Sequence, residues 1–240
     1  MRVLAILTAL PLLACSNIGD DGSPGIPGSG TGSARTYQVS DFSKVSLRGS
    51  DDVDVRVGSA FSVRAEGDPE VLEYLKIEKD GDTLEIGRRN RTGFDWGGRG
   101  AKIFVTMPRI VGAEIAGSGD MVIDRAEGAT FDGDSAGSGT IAIATLAVDE
   151  ATFDVAGSGG VRAGGTAKSV KIGIAGSGDI AAGGLKANAA DISIAGSGNV
   201  KLDVTGNAKV SIMGSGDVDL GVNAKCSVTK MGSGDVRCGG

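Results

Sequence analysis

Asp191-Ile192-Ser193-Ile194-Ala195-Gly196-Ser197-Gly198-Asn199-Val200-Lys201-Leu202-Asp203-Val204 decides the fold. Apolar and polar residues alternate on both sides of a Gly-Ser-Gly turn, so each flank reads as a strand with one buried face. The same turn recurs as Gly117-Ser118-Gly119, Gly137-Ser138-Gly139, Gly157-Ser158-Gly159, Gly176-Ser177-Gly178, Gly196-Ser197-Gly198, Gly214-Ser215-Gly216 and Gly232-Ser233-Gly234. Steps between the first glycines are 20, 20, 19, 20, 18 and 18 residues. A fixed period of this size marks a repeat protein with one structural unit per period. No unit leaves room for a helix of ~10 residues.

Stacked coils place every Gly-Ser-Gly above the last and so explain the uniform corner chemistry. One coil buries its Val and Ile face only against its neighbours. The reading is therefore all-β: a right-handed, single-stranded parallel β-helix with about 20 residues per coil. Coils should rise by ~4.8 Å, so seven span roughly 34 Å. The handedness of parallel crossovers makes the winding right-handed. Glycine reaches positive φ without a Cβ clash, so two glycines around a small Ser allow a sharp corner.

The position after each turn runs Asp120, Thr140, Gly160, Asp179, Asn199, Asp217, Asp235. Stacked carboxylates repel unless a cation or hydrogen bonds compensate. The favoured reading is that Asp and Asn cap backbone N–H groups, with a divalent-cation column as the alternative. No cofactor or metal site is assigned.

Residues 1–15 read as an export signal. Arg2 is the positive region, and Val3 to Leu13 is an apolar stretch too short to span a membrane. Leu12-Leu13-Ala14-Cys15 resembles the bacterial lipoprotein box, which implies cleavage before Cys15 and acylation of that residue. Multiple acyl chains give stable anchoring. Ser16 follows the Cys, and the resemblance to enterobacterial lipoproteins, where a residue other than Asp favours the outer membrane, implies sorting there. Residues 16–35 are Gly, Ser, Pro and Asp and read as a flexible tether.

The β-helix domain is expected over residues 36–240, with an N-terminal part at 36–110 and repeat coils at 111–240. Gly49-Ser50-Asp51 looks like a degraded first turn. Asp68-Pro69-Glu70 starts a short helix, with Asp68 as N-cap and Pro69 in the first position. Asp80-Gly81 between Leu75-Lys79 and Thr83-Ile86 reads as a hairpin. Helix and hairpin would cap the exposed N-terminal end of the solenoid.

Arg88 to Gly100 carries four arginines and the only Trp of an acidic chain with few aromatic residues. Arg91, Phe94, Trp96 and Arg99 are the candidate ligand contacts, since Trp with Arg stacks on sugar rings or grips acidic groups. The competing reading is a loop whose aromatics fold back on the cap. Cys226 and Cys238 fall at inward positions of the last coil, Cys226 aligned with Val210 and Cys238 with Leu220. They are candidates for a disulfide, which an exported protein permits. Opposed sheets lie ~10 Å apart while a bridge needs Cα atoms within ~7 Å, so the last coil must be flattened.

The chain contains no His, which removes His-based triads, general bases and zinc ligands. The acids read as scattered, the repeats carry no insertions, and no phosphate loop is present. Catalysis is therefore not expected. A formal charge of −6 with no basic run gives no nucleic-acid footprint.

These residues together resemble the bacterial head GIN domain family of auto-transporter adhesins. The resemblance rests on Val45-Ser46-Leu47-Arg48-Gly49-Ser50-Asp51-Asp52-Val53-Asp54-Val55, a short helix region and the serial Gly-Ser-Gly turns. It implies a parallel β-helix similar in outline to pectin lyases but without their catalytic residues, and a role in cell adhesion. The expected function is a lipid-anchored envelope protein that presents a rigid β-helix to a glycan or protein ligand. The alternatives are a polysaccharide-acting lyase or hydrolase and a purely structural envelope protein. Oligomeric state stays open, since open solenoid ends could associate end to end.

Overall fold

The structure is a computed structural model, and it describes residues 23–89 and 100–239. Strands β1 (Gly28–Ser29), β2 (Ala34–Tyr37), β3 (Lys44–Gly49), β4 (Asp52–Val57) and β5 (Ser62–Glu66) precede a short helix, α1 (Pro69–Tyr74). Then come β6 (Leu75–Asp80), β7 (Thr83–Arg88), β8 (Lys102–Met107) and β9 (Gly112–Gly117). Four long bent strands follow: β10 (Met121–Gly137), β11 (Thr140–Gly157), β12 (Gly160–Gly176) and β13 (Asp179–Gly196). The chain closes with β14 (Val200–Val204), β15 (Asn207–Gly214), β16 (Val218–Asp219), β17 (Lys225–Gly232) and β18 (Val236–Arg237).

Among the strands from β9 onward every pairing is parallel and one repeat apart, and β9 and β10 stack in parallel on β3 and β4 across the N-terminal excursion. Phe153, Ile172, Ile192, Val210 and Val228 form one vertical file. Burying each of the first four contributes roughly 1.5–3 kcal/mol, and only stacking makes that burial possible; Val228, on the last coil, stays 46% exposed. Gly49 sits in register with Gly117, so Gly49-Ser50-Asp51 is the first turn of the stack. From β3 to β17 there are seven strand-to-strand steps, or ~34 Å at ~4.8 Å per step.

The two glycines of each turn do different jobs. Only the first has positive φ, between 121° and 146°. Its carbonyl accepts N–H groups from the turn above: Gly117 O takes Ser138 N–H at 2.9 Å and Gly139 N–H at 3.1 Å. The second glycine is needed for clearance, because a Cβ on Gly139 would lie 2.1 Å from Gly119 O. The expectation of positive φ at both positions is corrected accordingly.

Each coil has three faces rather than two. In β11 the buried sets are Ile141 and Ile143, then Leu146 and Val148, then Ala151, Phe153 and Val155. Two exposed pairs, Ala144-Thr145 and Asp149-Glu150, separate them. Two successive outward residues break the period of two, and the chain turns a corner there. The last repeats are 18 residues long because they lose part of the second face: Ala182 pairs with Leu202, but Lys186 then pairs with Asp203.

That narrowing brings Cys226 and Cys238 together. They form a disulfide with Cα atoms 6.3 Å apart. Cys226 stands above Ala208, not Val210, a correction of two residues that leaves the side chain inward.

The N-terminal mouth is sealed by an excursion between β4 and β9. β8 pairs with β4, β5 with β8, and β2 with β5, extending the first face. β7 pairs with β3 and β6 with β7, extending the third. α1 buries Val71 and Leu72 beside them, and Asp68 caps it by accepting Glu70 N–H at 2.8 Å. The expected tether at 16–35 is structured from residue 23. Ser23 Oγ donates to Glu78 Oε1 at 2.6 Å, Ile26 N–H donates to Ile77 O at 2.7 Å, and β1 pairs with β2. The Gly-Ser strand is held by its backbone pairing with β2 and by Ser29 Oγ donating to Thr36 O at 3.1 Å, and composition does not reveal these bonds.

Candidate binding surface

Arg91, Phe94, Trp96 and Arg99 lie outside the described residues, as does Cys15. The flanks of the 90–99 segment are well anchored. Asp51, fully buried, accepts Ala101 N–H at 2.7 Å and Arg88 Nε–H at 2.8 Å. Arg89 N–H donates to Tyr74 O at 2.9 Å, and its guanidinium lies 5.7 Å from the Tyr74 ring centre.

Beside the turns, the Asp and Asn residues form a ladder in which a side-chain oxygen accepts the N–H of the next coil. Asp52 takes Asp120 N–H at 3.0 Å, and Asp120 takes Thr140 N–H at 2.8 Å. Asp179 takes Asn199 N–H at 2.9 Å, Asn199 takes Asp217 N–H at 3.1 Å, and Asp217 takes Asp235 N–H at 2.8 Å. The ladder breaks at Gly160, where the backbone N–H bonds Gly139 O instead. Among the described residues no three Asp, Glu, Cys or His side chains are placed to hold a metal ion. The turn serines, Ser118 to Ser233, are all exposed and run as a file of hydroxyls alongside.

The C-terminal half of this ladder lines a groove of about 890 Å³. Asp179, Asn199, Asp217 and Asp235 form one wall, and Lys201 and Arg237 supply cationic donors. Arg237 pairs with Asp219 at 3.4 Å. A groove with closely spaced acceptors and donors suits a hydroxyl-rich or polar ligand.

A second surface was not legible as a cluster. Glu114, Asp134 and Asp154 stand in register on three successive strands of the third face, next to Asp132. The expectation of scattered acids is corrected: their spacing of 20 residues, each three before a turn glycine, was the signal. Asp134 is pushed up to about 6 by loss of water around its carboxyl, then by Asp154, Glu114 and Asp132. Desolvation also raises Asp154, with Lys171 opposing. Gly173 leaves room for this rung, since a Cβ there would lie 2.1 Å from Asp154 Oδ1.

A capped parallel β-helix with polar ladders and grooves along its coils defines a repeat protein of the β-solenoid class. The chain belongs to the family described as "Putative auto-transporter adhesin, head GIN domain", whose model matches residues 41–224. Three solved structures share the fold. A putative adhesin from Bacteroides fragilis is 23% identical over 88% of this chain and 98% of its own, with a TM-score of 0.78. A putative lipid binding protein from Parabacteroides distasonis is 24% identical over 88% and 98%, with a TM-score of 0.67. A putative adhesin from Parabacteroides distasonis is 20% identical over the same shares, with a TM-score of 0.62. No curated protein matches the chain.

Proposed function

We propose that this chain is a lipid-anchored protein of the bacterial cell envelope, sorted to the outer membrane through Cys15, that presents its solenoid for adhesion to a glycan or protein ligand without catalysis. One observation carries the reading. The sealed end of the solenoid is the end nearest Cys15 in the chain, and a groove of about 890 Å³ lies at the other end, between Asp179 and Arg237. An anchor at one end of a rigid rod and a polar groove at the far end is the layout a surface-binding protein needs. The adhesin family and adhesin neighbours support it.

Thermal shift of the full chain against cellohexaose, chitohexaose, mannan and mucin tests it. A saturable rise in Tm with one of these, lost on Lys201→Ala with Arg237→Ala, is expected. Silence across all four, or a shift untouched by the double variant, overturns the groove assignment.

The Asp134 carboxyl favours a second reading, a glycan hydrolase. A carboxyl pushed up to about 6 by burial and by the acids beside it is suited to general-acid work. Release of reducing ends that disappears in Asp134→Asn would establish it.

A further inference from the structure

Among the described residues no strand pairs with the outer side of the last coil. Its inward positions are Cys226, Val228 and Lys230 on β17, then Val236 and Cys238 after the turn. They continue the files of Ala208, Val210, Ile212, Val218 and Leu220. One of the five, Lys230, abandons the apolar pattern, while both cysteines pack against the core. The cysteines form a strap across the coil. Lys230 ends a file that reads Ile115, Ser135, Val155, Ile174, Ile194, Ile212. Its ammonium folds across the corner and donates to Gly234 O at 2.5 Å.

β17 pairs only with β15, and β18 only with β16, among the described strands. Their outer edges are unpaired, and Val228 beside them is 46% exposed. An open edge over an apolar interior is a template for another chain. The N-terminal end is already occupied by β5, β6, β7 and β8, so a second copy could stack only mouth to mouth. A charge at an inward edge position opposes that, because a stacked coil would strip water from an ammonium that has no carboxylate partner among the described residues.

We propose that the C-terminal mouth is a terminating cap that keeps two copies of this chain from stacking end to end, and that Lys230 enforces it. The cap leaves the distal groove accessible on each molecule.

The test is sedimentation of the full chain, extracted in detergent, over a wide concentration range. Wild type and Lys230→Arg should stay monomeric. Lys230→Ile completes the isoleucine file and should self-associate at least tenfold more tightly, with the mass approaching that of a dimer. Lys230→Met, which demands less of the packing, should follow it if the Ile variant folds poorly. Monomeric Ile and Met variants overturn the proposal. So does a wild-type dimer whose hydrogen-exchange protection covers the outer edges of β17 and β18.

Discussion

Arg88 grips Asp51 through Nε and Nη2 at the corner of the first coil, where the aspartate is fully buried and the arginine side chain is 11% exposed. The same carboxylate takes the N–H of Ala101, so one residue ties together both flanks of the segment that carries the only tryptophan. Asp51 occupies the third place of the degraded first turn, where later turns have their second glycine. The loss of the glycine there accompanies a gain in anchoring.

Removing one partner of a buried, hydrogen-bonded pair costs about 3–5 kcal/mol. Asp51→Ala should lower stability by that order in urea unfolding. Asp149→Ala breaks an exposed pair with Lys168 and should cost about 0–1 kcal/mol. Equal effects from the two variants would show that the Asp51 clamp contributes little.

The division of labour between turn glycines gives a ranking. Gly128 has φ of +143°, but a Cβ there meets nothing within 4 Å. Gly128→Ala therefore carries backbone strain alone, about 1–3 kcal/mol. Gly139→Ala drives a methyl against Gly119 O and must push two coils apart, so it should cost more. Denaturation midpoints in the order wild type, Gly128→Ala, Gly139→Ala are expected; the reverse order would contradict the stacking account.

Acid should stabilise this solenoid over a defined window. The folded pKa of Asp134 is raised from the ordinary 3.8 to about 6, so the folded chain binds that proton more tightly than the unfolded chain. The penalty of an ionised Asp134 is fully present above about pH 6 and is relieved as pH falls through 6 toward 3.8. Tm should therefore rise between pH 7.5 and 5 (pH values chosen around that pKa). Asp134→Asn should be more stable than wild type at pH 7.5 and should flatten the rise.

Reduction should loosen one end only. The Cys226–Cys238 bridge closes a loop with a sequence separation of 12 residues, and loops of that size contribute about 3 kcal/mol. Hydrogen exchange after reduction should quicken across β16 to β18 and leave β10 to β12 protected. Loss of protection along the whole solenoid would mean that its coils unfold together.

Much of the fold could be read from the chain because the solenoid repeats its local chemistry. The turns, their stacking, the Asp68 cap and the Asp80-Gly81 hairpin are written in adjacent residues. What could not be read depends on distance through space. The three-faced section hides in single-residue slips of the alternation, such as Ala144-Thr145. The Gly28–Ser29 strand is held by backbone bonds that its composition does not announce. The acids at 114, 134 and 154 are far apart along the chain and become neighbours only when the period is applied to polar residues as well as apolar ones. The Asp52–Asp120 and Asp179–Asn199 contacts follow the same logic, and the capping reading there anticipated the ladder without its partners.

Protease shaving of intact cells, with Cys15→Ala as the anchor control, tests the central claim of surface display. The account predicts that the wild-type domain is cleaved from whole cells and that the Cys15→Ala protein is absent from the cell surface. Wild-type protein that stays protected until the outer membrane is breached would contradict it, and would place the groove and its ligand in the periplasm.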